Sequence, residues 1–201
     1  MDGVLAEVSK SYRAAIVKTC ATYGATGVTG DVVTSYKAKG NANDDWQLSH
    51  TLINDYGGDK SVTLEQVTAT FEDFYQGKED TPGLYTLETL IPDVETLKAL
   101  HKRSKPGVGI VTGRPRSDCM KFLKQYNLEE MISATYCMED GPSKPDPYPV
   151  KRVCELLNIQ PNKSVVLVGD TPDDMRAAVS AGISGVGVAT PEAIEEAEQA
   201  G

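Results

Sequence analysis

The sequence predicts an α/β protein: a Rossmann-like parallel sheet core with an all-helical insertion near its N-terminus. Two observations carry this reading. From about Leu90 onward, short β-branched runs alternate with helix-like segments, the pattern of a parallel sheet covered on both faces. Between Ser9 and about Tyr85 the apolar residues recur instead at helical spacing, and no convincing strand pattern breaks them.

In the helical stretch, Tyr12, Ala15, Ile16, Thr19, Cys20 and Tyr23 share one face, with Gly24 in the stop position. A second face runs Trp46, His50, Ile53 and closes at Gly57-Gly58. A third begins with the capping-box pattern Thr63-Leu64-Glu65-Gln66 and carries Val67, Phe71, Phe74 and Tyr75. In the remainder, GVGIVTG (107–113), ISATYCM (132–138), SVVLVGD (164–170) and GVGVAT (185–190) read as strands. Helices are expected near 92–104, 117–126, 147–157 and 172–181.

A chain of 201 residues is long enough to bury a sizeable core, and 40% hydrophobic with 24% charged residues is ordinary for a globular protein. The net charge of −9 argues against general nucleic-acid binding, which needs a basic face. It leaves room for a phosphorylated small substrate, because a metal and one or two basic side chains can reverse the sign locally. Cys20, Cys119, Cys137 and Cys154 form no C-x-x-C pair, so they read as reduced, mostly buried small hydrophobes of a cytoplasmic protein. With His50 and His101 as the only histidines, a His-rich zinc site is unavailable. There is no signal-peptide pattern and no apolar run long enough to span a bilayer, so no membrane partner is expected. Nothing in the sequence speaks to oligomeric state.

In open parallel sheets the chemistry sits just beyond the carboxyl ends of the strands. In VVLVGDTPDDMRAA the strand ends at Gly169-Asp170, and Asp174 follows after one turn's spacing. Carboxylates placed there are hard oxygen ligands of the kind Mg²⁺ prefers. The competing reading is that Asp170 or Asp173 caps the helix starting near Pro172. Capping is preferred for Asp173, and metal binding for Asp170 and Asp174. GIVTGRP places Thr112 at another strand end, followed by Gly113 and Arg114. The hydroxyl and a free backbone N–H can hold a phosphoryl oxygen, and Arg114 is either a further ligand or a solvated charge. SKPDPYP sets Lys144 in a Pro-framed loop, where its ammonium could neutralise a phosphoryl group or a cluster of carboxylates. MDGVL puts an Asp2-Gly3 turn at the start, with only Met1 before it. The Gly-rich pieces match neither G-x-G-x-x-G nor G-x-x-x-x-G-K-[ST], and G-x-S-x-G is absent.

These pieces, in this order, resemble the haloacid dehalogenase-like hydrolase superfamily, in its branch with a helical cap, over essentially the whole chain. MDGVL resembles the end of the first family motif, VTGRP the second, SKPDP the third and VGDTPDD the fourth. The resemblance implies a hydrolase core at 1–8 plus 89–201 and a helical cap domain at 9–88. It implies that Asp2 is the general acid/base and gives its backbone carbonyl to Mg²⁺. Thr112 and Lys144 would hold the transferring phosphoryl group, and Asp170 and Asp174 would serve the metal. Asp2 with Asp170 favours phosphate-monoester hydrolysis over halide displacement, and phosphomutases share the same motifs.

The family's nucleophile, the first aspartate of D-x-D, would fall immediately before Met1, and its apolar strand before that. In the family mechanism this carboxylate forms an aspartyl-phosphate that water then cleaves. Two explanations are open: a natural protein that starts upstream of Met1, or a non-catalytic protein that binds a phosphorylated ligand. On either, the chain beginning at Met1 is expected to be inactive in covalent catalysis.

Substrate choice is expected to lie in the helical insertion. KGNANDDWQLSH (39–50) is its most unusual stretch, and Asn41, Asn43 and Gln47 are candidate substrate contacts. The plainer reading is that Asp44 or Asp45 caps a helix and Trp46 packs inside. The expected substrate is a small phosphorylated metabolite, such as phosphoglycolate, a sugar phosphate or histidinol phosphate, which the sequence does not rank.

Overall fold

A computed structural model describes residues 1–189 of the chain. Thr190, the last residue of the fourth expected strand, lies outside the described residues. In chain order the elements begin with β1 (Ala6–Glu7), α1 (Tyr12–Thr22), α2 (Gly30–Ala38), α3 (Asp45–Asp55) and α4 (Leu64–Gln76). Next come β2 (Gly77–Lys78), β3 (Thr81–Pro82), β4 (Thr89–Leu90) and α5 (Val94–Arg103). They continue with β5 (Val108–Val111), α6 (Arg116–Gln125), β6 (Ile132–Tyr136) and α7 (Tyr148–Leu156). Last are β7 (Val166–Gly169), α8 (Pro172–Ala181) and β8 (Ser184–Gly187). The chain forms two compact units: Met1–Ala6 with the chain from Leu90 onward, and Glu7–Thr89.

In the helical unit, α1 packs against α3 and α4 through the face its spacing marks out, with Tyr12, Ala15, Ile16, Thr19 and Cys20 buried. Tyr12 and Tyr75 bring their ring centroids to 4.2 Å, and Phe71 extends this aromatic core. The capping box of α4 forms as its sequence specifies: Thr63 Oγ1 accepts from Gln66 N–H, and Gln66 Oε1 accepts from Thr63 N–H. Glu88 is buried here and accepts hydrogen bonds from Ser11 Oγ (2.9 Å) and Tyr75 Oη (3.1 Å). Two features depart from the expected layout. Helix α2 has no sequence counterpart because only Val33 is buried on it, which leaves no apolar stripe to read. A small antiparallel hairpin, Gly77 opposite Pro82 and Lys78 opposite Thr81, follows α4 where no strand was expected. Two-residue strands are too short to show an alternating pattern.

In the other unit, β5 runs parallel to β6 and β7 parallel to β8. The right-hand side of the chain reads as expected: α7 packs on β5 and β6, and α8 packs on β7 and β8. Val150, Ala177, Ala178, Ala181 and Ile183 form one apolar cluster, with Val165 and Leu167 packed against it. Val111, Ala134, Tyr136 and Val153 form another. The expectation of strands covered on both faces holds at β5, where the adjacent Ile110 and Val111 are both buried, and departs at β7 and β8. Val166 and Val168 alternate with Val165 and Leu167, so they point to the opposite face, and both are exposed, as is Val186. Among the described residues β5 pairs with β6 and β7 with β8, as two separate pairs.

Candidate active site

The site grows from three chain segments that reach the strand ends of the core unit, with Lys144 entering from a fourth, the loop before α7. In the first, Met1 C=O accepts from Leu5 N–H (2.7 Å) and Ala6 N–H (3.1 Å), while Gly3 N–H donates to Ala6 C=O (2.9 Å). This turn sets Gly3 at φ +66°, a conformation glycine adopts without steric penalty. A Cβ on Gly3 would lie 2.1 Å from Asp170 Oδ2, so glycine here also lets the turn approach the carboxylate.

The second segment is the turn from β7 into α8. A Cβ on Gly169 would stand 2.2 Å from Asp174 Cβ, so the strand must end in glycine for Asp174 to fold back over it. The helix cap is Thr171, which corrects the capping role preferred for Asp173 and leaves Asp170 uncommitted to capping. Thr171 Oγ1 and N–H both donate to Asp174 Oδ2, at 2.7 and 3.0 Å. Asp174 N–H returns a bond to Thr171 Oγ1. Asp173 is buried and accepts from Arg176 Nη1 at 3.1 Å. Lys144, from the Pro-framed loop, donates through Nζ to Asp174 Oδ1 at 2.5 Å. Asp174 is therefore held at both oxygens.

The third segment follows β5. Thr112 N–H donates to Tyr136 C=O at 2.9 Å, continuing the β5–β6 pairing by one residue. Thr112 is buried, and its Oγ1 accepts from Arg114 N–H at 3.1 Å. Gly113 between them is half-buried. Arg114 is buried as well: its guanidinium lies 5.5 Å over the Phe122 ring, and its Nε donates to Asp2 Oδ1 at 2.6 Å.

These contacts join the three segments and the Lys144 loop into one electrostatic cluster. Burial would raise the Asp174 carboxyl, but the Lys144 charge and hydrogen bond and the Thr171 bonds outweigh it and hold it below the ordinary value of 3.8. Asp170 is pushed the other way, first by desolvation and then by the Asp174 charge, with Asp2 adding to the effect. Its side chain keeps an open face to solvent, so the neighbouring charges are the more durable cause. The Met1 α-amino group lies within this cluster and is lowered by burial and by Lys144, against Asp2, Asp174 and Asp170. Among the described residues no three His, Cys, Asp or Glu side chains are arranged to hold a metal ion. The donor chemistry nevertheless suits a hard cation. Asp170 is a carboxylate whose ionised form is strained by two like charges, and a divalent ion beside it would relieve that strain.

Asn41, Asn43 and Gln47 belong to the helical unit. Asn41 is exposed in a left-handed conformation (φ +57°), and Asn43 is half-buried. Asp44 caps α3, accepting from the N–H groups of Trp46 and Gln47, and Trp46 Nε1 donates to Glu72 Oε1 at 3.1 Å. Lys37 Nζ ties the stretch to α2 through Asp45 Oδ1 (2.6 Å) and Ala42 C=O (3.2 Å). Two participants escaped the sequence reading, Gly169 and Thr171. The T-x-x-D pattern of Thr171 and Asp174 is the signal that could have found the second.

A Rossmann-like core with acidic and basic residues gathered at its strand ends, in one chain with a separate helical unit, defines a Rossmann-like fold class with a helical insertion. The chain belongs to the haloacid dehalogenase-like hydrolase family, whose model matches residues 1–188. It is 44% identical over 194 residues to an imidazoleglycerol-phosphate dehydratase of Phytophthora nicotianae, covering 96% of this chain and 42% of that protein. It is 31% identical over 133 residues to a phosphoglycolate phosphatase of Mannheimia succiniciproducens, covering 64% of this chain and 57% of that protein. The chain thus spans about half the length of these relatives. Among solved structures, it shares its fold with a protein of Bacteroides fragilis described as haloacid dehalogenase-like (TM-score 0.75, 22% identity, 98% of this chain and 90% of that one). A Haemophilus somnus protein named for phosphoglycolate phosphatase shares it too (TM-score 0.73, 21% identity, 93% and 81% covered).

Proposed function

We propose that the protein is a Mg²⁺-dependent phosphatase that hydrolyses a small phosphorylated metabolite. The observation that carries this reading is the convergence of Lys144, from the loop before α7, on Asp174 and Asp170 beyond the end of β7, with Asp2 in the first turn beside them. Relatives named for phosphoglycolate, for pyrophosphate and for imidazoleglycerol phosphate support a small phosphorylated substrate. The dehydration in the name of the first of these is not carried over, because the chain matches under half of that protein. A cytoplasmic location belongs to the same reading and is supported by four free, buried cysteines.

On this reading Thr112 Oγ1 and the Gly113 N–H hold phosphoryl oxygens at the end of β5, and Lys144 offsets their charge from the Asp174 side. Asp170 and Asp174, with the backbone carbonyl of Asp2, would hold Mg²⁺. The ion would neutralise charge developing on the equatorial oxygens. Asp2 gives and takes the proton of the leaving and attacking oxygens. In the family mechanism an aspartate carboxylate attacks phosphorus, expels the alcohol and forms an aspartyl-phosphate that water then cleaves. Asn41, Asn43 and Gln47 would select the substrate from the helical unit.

The test is turnover of an aryl phosphate by a chain extended upstream with an apolar strand ending in aspartate. Hydrolysis that requires Mg²⁺ is expected. A folded extended protein that binds inorganic phosphate yet hydrolyses nothing would overturn the enzyme and leave the alternative, a non-catalytic phosphate-ligand binder.

A further inference from the structure

We infer that Arg114 is a positioning residue for Asp2 and takes no part in holding the phosphoryl group; this rests on the proposed proton-transfer role of Asp2. The exposures of the pair point in opposite directions: the Arg114 side chain is 1% accessible and that of Asp2 35%. The guanidinium is therefore the inner partner, and the carboxylate is the one with a face toward solvent and any reacting group. Their contact is a short charge-assisted bond, Nε to Oδ1 at 2.6 Å.

Arg114 is itself fixed from several sides. Its N–H sits on Thr112 Oγ1 at 3.1 Å, its C=O accepts from Met138 N–H at 2.9 Å, and its guanidinium plane lies over Phe122 at 5.5 Å. A buried guanidinium needs an anion, and Asp2 supplies one through Nε. The consequence for Asp2 is directional. A short, half-buried side chain at a turn would otherwise sample several rotamers, and the anchored arginine holds its carboxylate in one. The backbone link through Thr112 couples that orientation to the residue proposed to hold the phosphoryl group. Lysine has the charge but lacks the planar Nε donor, so it reproduces the bond poorly.

Two measurements on the chain as it stands test this. In ¹⁵N NMR, the Arg114 Nε–H is expected as a protected signal that is lost or exchanges rapidly in Asp2→Ala and weakens in Asp2→Asn. A signal indifferent to both changes overturns the pairing. In calorimetry with inorganic phosphate and Mg²⁺, Arg114→Lys and Arg114→Met are expected to bind within about twofold of the parent. A loss of roughly tenfold or more, the size expected for a missing charged phosphate contact, would make Arg114 a ligand and overturn the inference. If Arg114→Met does not fold, Arg114→Lys and the double variant Arg114→Met/Asp2→Asn, which removes both charges, decide the same point. If the parent binds no phosphate, the proposed function fails, while the NMR signal still decides the pairing. In an extended chain that turns over aryl phosphate, Arg114→Lys is expected to lower kcat about tenfold with KM unchanged; raised KM with kcat retained overturns it.

Discussion

Lys144 Nζ and Asp174 Oδ1 meet at 2.5 Å with their side chains only 11% and 4% exposed, so a loop lysine and a helix carboxylate form a buried ion pair at the strand ends. Coulomb attraction between them is strong at low dielectric, but each ion has given up its water, and the pair's worth depends on both members being present.

Removing one member should therefore cost more than removing both. Lys144→Met or Asp174→Asn alone is expected to destabilise the protein by about 3–5 kcal/mol, because each strands a buried charge or a set of buried donors. The double variant should cost clearly less than the sum. Urea unfolding of the four proteins measures this, and strict additivity would show that the pair is not energetically coupled.

Gly169→Ala is expected to destabilise by about 1–3 kcal/mol, since the new methyl would overlap Asp174 Cβ at 2.2 Å and the first turn of α8 must move. A thermal melt reads the cost, and phosphate binding should fall with it because Lys144 is anchored on Asp174. An unchanged melting temperature would mean that the turn has room the structure does not show.

Asp170→Asn should raise stability at neutral pH. The Asp170 carboxyl is held above its ordinary 3.8, so its ionised form is the strained one in the folded protein. The destabilisation is fully present above the folded pKa and disappears below the unfolded value. The gain on Asp170→Asn should accordingly be seen at pH 7 and vanish near pH 3. Asp174 has the reverse sign: its depressed carboxyl stabilises above 3.8, and that contribution is lost as pH falls through the folded value. Asp174→Asn should flatten the acid side of the stability curve.

The cysteines should be unreactive in the native state. All four are buried and free, and burial pushes the Cys20 thiol up to about 12. Ellman's reagent at pH 8 is expected to label the folded protein slowly and to find 4 thiols after unfolding in denaturant. Rapid labelling of the native protein would show that the core opens locally.

Much of this molecule was legible before any coordinates. The apolar face from Tyr12 to Cys20 packs as its spacing indicates, and the Thr63–Gln66 capping box forms as written. The strand–helix alternation after Leu90 also put Thr112 and Asp170 one residue beyond strand ends and Asp174 in the first turn of the helix that follows. Helix α2 was not legible, because a helix that buries one side chain leaves no periodicity. Nor were the roles at the β7–α8 turn, where Thr171 caps the helix in place of Asp173.

Local sequence decided which elements form and which residues reach their ends, because propensity, capping and apolar period act over a few neighbouring residues. Tertiary structure alone decided which charges face one another. Lys144 and Asp174 are 30 residues apart in sequence, and Arg114 and Asp2 are 112 apart. No local pattern records such distances. Whether a guanidinium ends up solvated, on a ligand or buried against a carboxylate is settled only when the chain brings that carboxylate within reach.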